Sequence, residues 1–219
     1  QLKGKSMHGV STAVYIDGFN FYYGAARPHG IRWVDLRRMA QRILGPRHAV
    51  EQVFLYTAPL SDRDGSDGRI AERHELYLRA QRVAGGVEVI LGRHVTGSRR
   101  LPLLRPDGTI GELVSVLQTV EKGTDVNLAV DLVHHALTGR CEAAAVVSND
   151  SDLCRAVRIA RHVGGIAVGV INPHAHRQSH HLATEASFLK TVRRADLANS
   201  LLPDRLRDNL GIIDRPAEW

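Results

Sequence analysis

The sequence predicts a three-layer α/β domain on a mostly parallel central sheet. Two observations point there. Short, continuously apolar runs rich in β-branched residues alternate with segments of helical periodicity. The chain also has 219 residues, enough for one such domain to bury a core without covalent staples.

The elements follow in order. Residues 13–16, 50–56, 87–91, 143–147 and 166–171 read as strands, largely apolar as suits a sheet covered on both faces. Residues 34–44 read as a helix, with Leu36, Met39, Ala40 and Ile43 on one stripe, and so do residues 70–83. Residues 126–137 carry Leu128, Ala129, Leu132 and Val133, and residues 153–163 carry Ala156, Val157 and Ala160. Two segments break the rhythm. Residues 61–68, with Gly65 and Gly68, read as a polar loop, and residues 92–109 as an Arg-rich insertion, a loop or hairpin leading to residues 114–120. After Arg194 a short helix over 196–201 is expected, then a Pro-bounded end. The organisation expected is a tag or disordered segment over 1–10, one domain over 11–195, and a C-terminal extension over 196–219.

Composition narrows the function. Lys plus Arg number 29 against 23 Asp plus Glu, a net charge of +6 that favours polyanions. Six arginines and one acid occupy residues 27–47, and four arginines with a histidine occupy 93–105 without an acid. Such clusters serve as solvated faces or as phosphate-tracking surfaces. Two cysteines, Cys141 and Cys154, are too few for a disulfide framework, so a reducing cytoplasm is expected. No apolar run approaches the ~20 residues that span a bilayer. There is no GxGxxG fingerprint, no GxxxxGK[ST] loop and no GxSxG elbow, so nucleotide-hydrolase and α/β-hydrolase readings lack support.

The acids carry the functional signal. Val14-Tyr15-Ile16 runs straight into Asp17-Gly18, where an open α/β sheet binds its ligands, and Asn20 follows three residues on. Asp17 would also serve as a helix cap. Glu121-Lys122-Gly123-Thr124-Asp125 opens a helix with an acid in its first turn, favoured there by the helix dipole. Asp131 lies six residues on, about 240° around the axis, and ranks lower as a ligand. The run Ala143 to Val147 ends in Ser148-Asn149-Asp150-Ser151-Asp152, more polar groups than a cap needs. Acids packed together raise one another's pKa unless a cation sits among them, and an all-oxygen set suits Mg²⁺ or Mn²⁺.

In this order, Asp17-Gly-Phe-Asn20, Lys122-Gly-Thr-Asp125-Val-Asn-Leu-Ala-Val-Asp131 and Ser148-Asn-Asp-Ser-Asp152-Leu resemble the three signature blocks of the NYN (LabA-like) domain, of the PIN-like nuclease superfamily. The resemblance covers roughly residues 11–171. It implies a PIN-like, Rossmann-like α/β/α fold and Mg²⁺- or Mn²⁺-dependent cleavage of RNA. The family's metal-binding acids fall on Asp17, Asp125, Asp150 and Asp152, and Asp131 matches a recurrent position. Asn149 stands where many members carry Gly and Leu153 where Phe is common, and neither change removes a ligand.

Within that frame one or two ions would activate water against a phosphodiester. Asp17 and Asp150 are the expected direct ligands, with Asp125 and Asp152 binding directly or through water. Asn20, Ser148 and Asn149 would orient water or phosphate, and Lys122 would reach a phosphate or stay solvated. Arg155, Arg158 and Arg161 form a loose stripe on the following helix, with substrate contact expected of Arg155 and Arg158. Tyr22 and Tyr23 stack on a base or belong to the core or its rim. The histidine pairs at 134/135, 174/176 and 180/181 lack structural-zinc spacing and are expected to be exposed. The expected partner is RNA, single-stranded or structured, with a homodimer left open. The alternative reading is a non-catalytic RNA-binding module, and a further one a phosphatase or DNA nuclease using the same acids.

Overall fold

The computed structural model of the chain describes residues 9–60, 69–175 and 177–219. The loop expected over 61–68 and most of the expected N-terminal segment lie outside them, as does His176.

A six-stranded sheet in the order β3-β2-β1-β6-β7-β8 forms the middle layer, and every neighbouring pair is parallel. Its strands are β1 (Val10–Asp17), β2 (His48–Thr57), β3 (Glu88–Leu91), β6 (Ala143–Val147), β7 (Ala167–Asn172) and β8 (Phe188–Thr191). Strand β1 is buried from Thr12 to Asp17 and feeds both cores through its pleat. Val14 and Ile16 pack with Leu36, Met39 and Leu78, on the side of α2 (Leu36–Leu44) and α3 (Ile70–Gly85). Ala13 and Tyr15 pack with Leu128, Leu132 and Val157, on the side of α4 (Thr124–Leu137) and α5 (Cys154–His162).

The chain builds outward from β1 to β3, then returns to the centre and builds the other way from β6 to β8. The order therefore reverses between β1 and β6, which opens a crevice beyond their carboxyl ends. Residues following these two strands share that crevice.

Between β3 and α4 the Arg-rich insertion forms an antiparallel ribbon of β4 (Arg93–Leu104) and β5 (Ile110–Lys122). Its register runs from Arg93 opposite Lys122 to Leu104 opposite Ile110, so residues 114–120 belong to the ribbon's return strand and not to the main sheet. All of β4 is exposed.

The C-terminal stretch is more ordered than its sequence suggests. Helix α7 (Arg194–Ala198) is shorter than the expected 196–201 segment, and β9 (Arg205–Asp208) pairs with β10 (Gly211–Asp214). Leu202 and Ile213 join Trp33 and Ala80 in a third apolar cluster, and Arg79 grips Asp208 through Nε–Oδ2 at 2.8 Å and Nη2–Oδ1 at 2.6 Å. Among the described residues no helix is long and apolar enough to cross a membrane.

Candidate active site

Asp17 is the last residue of β1 and the N-cap of the four-residue helix α1 (Gly18–Phe21). Its Oδ1 accepts the Asn20 N–H at 2.9 Å, and its Oδ2 accepts the Ser148 hydroxyl at 3.0 Å. The turn is tight enough to need Gly18, since a β-carbon there would stand 2.8 Å from the Tyr56 carbonyl oxygen and 3.1 Å from Thr57 Cβ.

Ser148 follows β6 directly and is fully buried. Its Oγ also accepts the Asp150 N–H at 3.1 Å, so one hydroxyl joins the acid of β1 to the backbone of the third motif. Asp150 accepts the Asp152 N–H at 2.9 Å and caps a 3₁₀ turn, Ser151–Leu153. Asp125 sits in the first turn of α4, which starts after Gly123 at φ 101°, a left-handed conformation that favours glycine. Glu121 accepts the Thr124 N–H at 3.1 Å and secures the same turn.

These acids act on one another. Burial, with Asp125 and Asp150 adding to it, raises the Asp17 carboxyl to about 6 against the pull of the Asn20 and Ser148 hydrogen bonds. Asp125 is likewise raised, by burial first and then by Asp150, Glu121 and Asp152. Among the described residues no Lys or Arg pairs with any of the four acids. No three Asp, Glu, His or Cys side chains among them form a ready ligand shell. The four acids offer oxygen donors only, the donor type that Mg²⁺ or Mn²⁺ takes.

Of the other expected site residues, Asn20 and Asn149 are held in the crevice wall. Asn20 Oδ1 accepts the Asn149 N–H at 3.1 Å and faces His174 Nε2 at 3.1 Å, while Asn149 Oδ1 accepts the Ser179 N–H at 2.7 Å. Their side-chain oxygens are thus committed to architecture. Lys122 is exposed at the foot of the ribbon, beside Arg93 and Gly123. Arg155 is exposed on α5, but Arg158 forms an ion pair with Glu185 on α6 (His180–Glu185), and Arg161 donates to the Glu185 carbonyl. The expected arginine stripe is therefore largely spent on packing two helices.

Asp131 points away from the four acids and accepts the Tyr56 hydroxyl at 2.9 Å, as the helical angle predicts. Two histidines expected to be exposed are not. His135 is 4% exposed and bonds Tyr15 at 2.9 Å, and half-buried His174 supports Asn20. The Tyr15 and Phe54 rings of β1 and β2 cover the first, and the turn after β7 brings in the second. Glu121 and His174 were missed as site residues. Glu121 precedes a helix start by the spacing of a capping acid, and His174 follows the carboxyl end of a third central strand.

Fold and site together define an α/β domain with an acidic crevice at the switch point of a parallel sheet. The NYN domain family model matches residues 11–190, and the chain belongs to that family, a member of the PIN-like superfamily with a nuclease-type fold. It is 27% identical over 186 residues to 6-hydroxy-3-succinoylpyridine 3-monooxygenase HspA of Pseudomonas putida (strain DSM 28022 / S16), which matches 75% of this chain. The chain spans 60% of that relative's length. A crystal structure of a protein of unknown function from Vibrio parahaemolyticus RIMD 2210633 shares the fold, with a TM-score of 0.57 and 18% identity over 91% of this chain and all of that one.

Proposed function

We propose that the chain is a ribonuclease that hydrolyses RNA phosphodiester bonds with Mg²⁺ or Mn²⁺ held by Asp17, Asp125, Asp150 and Asp152. One observation supports this reading: at the carboxyl ends of β1 and β6, Asp17 and Asp125 are both held above the usual carboxylate range, by burial first and then by neighbouring acids, and among the described residues no Lys or Arg pairs with them. A divalent ion bound there supplies a polarised phosphoryl oxygen and a more acidic water. Asp17, fixed by Asn20 and Ser148, presents a pre-set carboxylate that needs no reorganisation. Asp150 is aimed by the Ser148 bond to its own amide. Asp125 and the more exposed Asp152 complete the negative rim, and Lys122 and Arg155 offer phosphate contacts at its edge.

The test is cleavage of a labelled single-stranded RNA with Mg²⁺ or Mn²⁺. Activity should vanish with EDTA and in Asp17→Asn and Asp150→Asn proteins. Full activity in a folded Asp150→Asn protein would remove the site. RNA binding insensitive to EDTA and without turnover would favour the non-catalytic module, which the exposed basic ribbon supports. The Pseudomonas relative's name denotes oxidation of a substituted pyridine, so 6-hydroxy-3-succinoylpyridine belongs in the substrate panel beside DNA and phosphomonoesters.

A further inference from the structure

Beside the acidic crevice lies a cavity of about 340 Å³, within the range of small-ligand sites. It begins at Gly18, next to Asp17, and at Thr57, next to the Tyr56 that pairs with Asp17 across β1 and β2. Phe19, Tyr22, Tyr23, Tyr77 and Trp219 contribute rings to its walls. The foot of the ribbon closes one side: His94 donates Nδ1–H to the Pro59 carbonyl at 2.8 Å and meets the Phe19 ring edge-on at 6.3 Å.

One polar group in that wall is unsatisfied. Arg32 lines the cavity, and its Nε is buried with no hydrogen-bond partner among the described residues. A guanidinium at an aromatic slot is suited to a planar ring that carries acceptors on its edge. The second arginine of the wall, Arg73, stands 3.7 Å from Glu218, and His74 is kept neutral by burial, its pKa lowered to about 4. The cavity is therefore apolar and π-rich, with the half-buried Arg32 side chain in its wall.

We infer that this cavity receives one unstacked nucleobase of the RNA whose phosphate lies at the acids, and that Arg32 selects a keto-bearing base, guanine before adenine. The inference rests on the ribonuclease reading for its polymer and on the cavity alone for its base. Stacking on the aromatic walls holds any base. The Arg32 donors match the O6 and N7 acceptors of guanine, whereas the amino group of adenine at the same place opposes them.

The experiment is a titration of the full chain with GMP, IMP and AMP in EDTA, followed by tryptophan fluorescence, because Trp219 is in the wall and Trp33 meets it edge-on with ring centroids 6.1 Å apart. GMP and IMP should quench saturably, with AMP about tenfold weaker, and Arg32→Met should abolish the difference. The three nucleotides on the unaltered protein keep the test sound even if that variant fails to fold. Absence of binding, or equal binding of GMP and AMP, would overturn the inference, and so would tighter binding of nicotinate than of GMP. The metal-free titration separates the two readings. RNA cleavage without GMP binding removes the cavity proposal alone, and GMP binding without cleavage upholds the cavity and removes the nuclease.

Discussion

The Ser148 hydroxyl donates to Asp17 Oδ2 at 3.0 Å across the boundary between β1 and β6, and the same oxygen receives the Asp150 amide at 3.1 Å. A single buried side chain thus sets the spacing of two acids 133 residues apart in the chain. Ser148→Ala should leave the fold intact and lower metal affinity or RNA cleavage by ~10–100-fold, the usual effect of losing a group that orients a ligand. Calorimetric titration with Mn²⁺ and circular dichroism check the two halves of that statement.

The raised Asp17 carboxyl gives the site a pH signature. Its folded-state pKa of about 6 lies above its unfolded value, so its contribution favours folding at low pH and is lost as pH rises through about 6. Without metal, Asp17→Asn should therefore be more heat-stable than the unaltered protein near pH 7.5, and the gap should close by about pH 4, near the ordinary carboxyl pKa. Metal binding needs the charged form, so Mn²⁺ affinity should fall as pH drops through about 6. Melting curves with and without Mn²⁺ at several pH values measure both trends.

Gly18→Ala presses a methyl group toward the Tyr56 carbonyl at 2.8 Å. Overpacking of this kind costs ~1–3 kcal/mol, with a fall in Tm of about 2–4 °C per kcal/mol in a chain this long. Since the displaced residue adjoins Asp17, metal affinity should fall as well. Thermal melts and Mn²⁺ titration decide whether stability and site move together.

Asp131 and Asp125 share a helix but differ in role. Asp131→Ala leaves the Tyr56 hydroxyl without its acceptor, a loss of ~1–3 kcal/mol in stability. Metal affinity should be nearly unchanged. Asp125→Asn should reverse the pattern, since it removes a carboxylate that burial, and then Asp150, Glu121 and Asp152, hold above its ordinary pKa. Denaturant unfolding and Mn²⁺ titration of both variants distinguish them.

On α5, Arg155→Ala should weaken RNA binding evenly across sequences and lower the salt slope by about one. Arg158→Ala should leave that slope unchanged, because its guanidinium is already paired with Glu185. Binding isotherms over a range of salt concentrations report this directly.

The sequence revealed the central strands and the acids for one physical reason: buried parallel strands are continuously apolar, so a charged residue at their ends stands out, as at Asp17 and Ser148-Asn149-Asp150. Strand β8 escaped because four residues with only Phe188 and Leu189 apolar carry no period. The β9–β10 hairpin escaped because its burial depends on Trp33 and Ala80, distant in sequence. The Arg158 ion pair has no signal in the sequence, because Glu185 reaches it only through the packing of α5 on α6. His174 lies just past the end of β7 and Arg32 within an arginine cluster, but neither position says what the side chain touches. Their meaning comes from Asn20 and from a cavity that assembles only when β2, α3 and the ribbon meet.

The central claim is that a divalent cation belongs among the four acids, and anomalous diffraction from a crystal soaked in Mn²⁺ tests it most directly. The account predicts one or two peaks in the β1/β6 crevice, against Asp17 and Asp150 with Asp125 and Asp152 beside them. An empty crevice at saturating Mn²⁺, or peaks confined to other faces of the molecule, would contradict it.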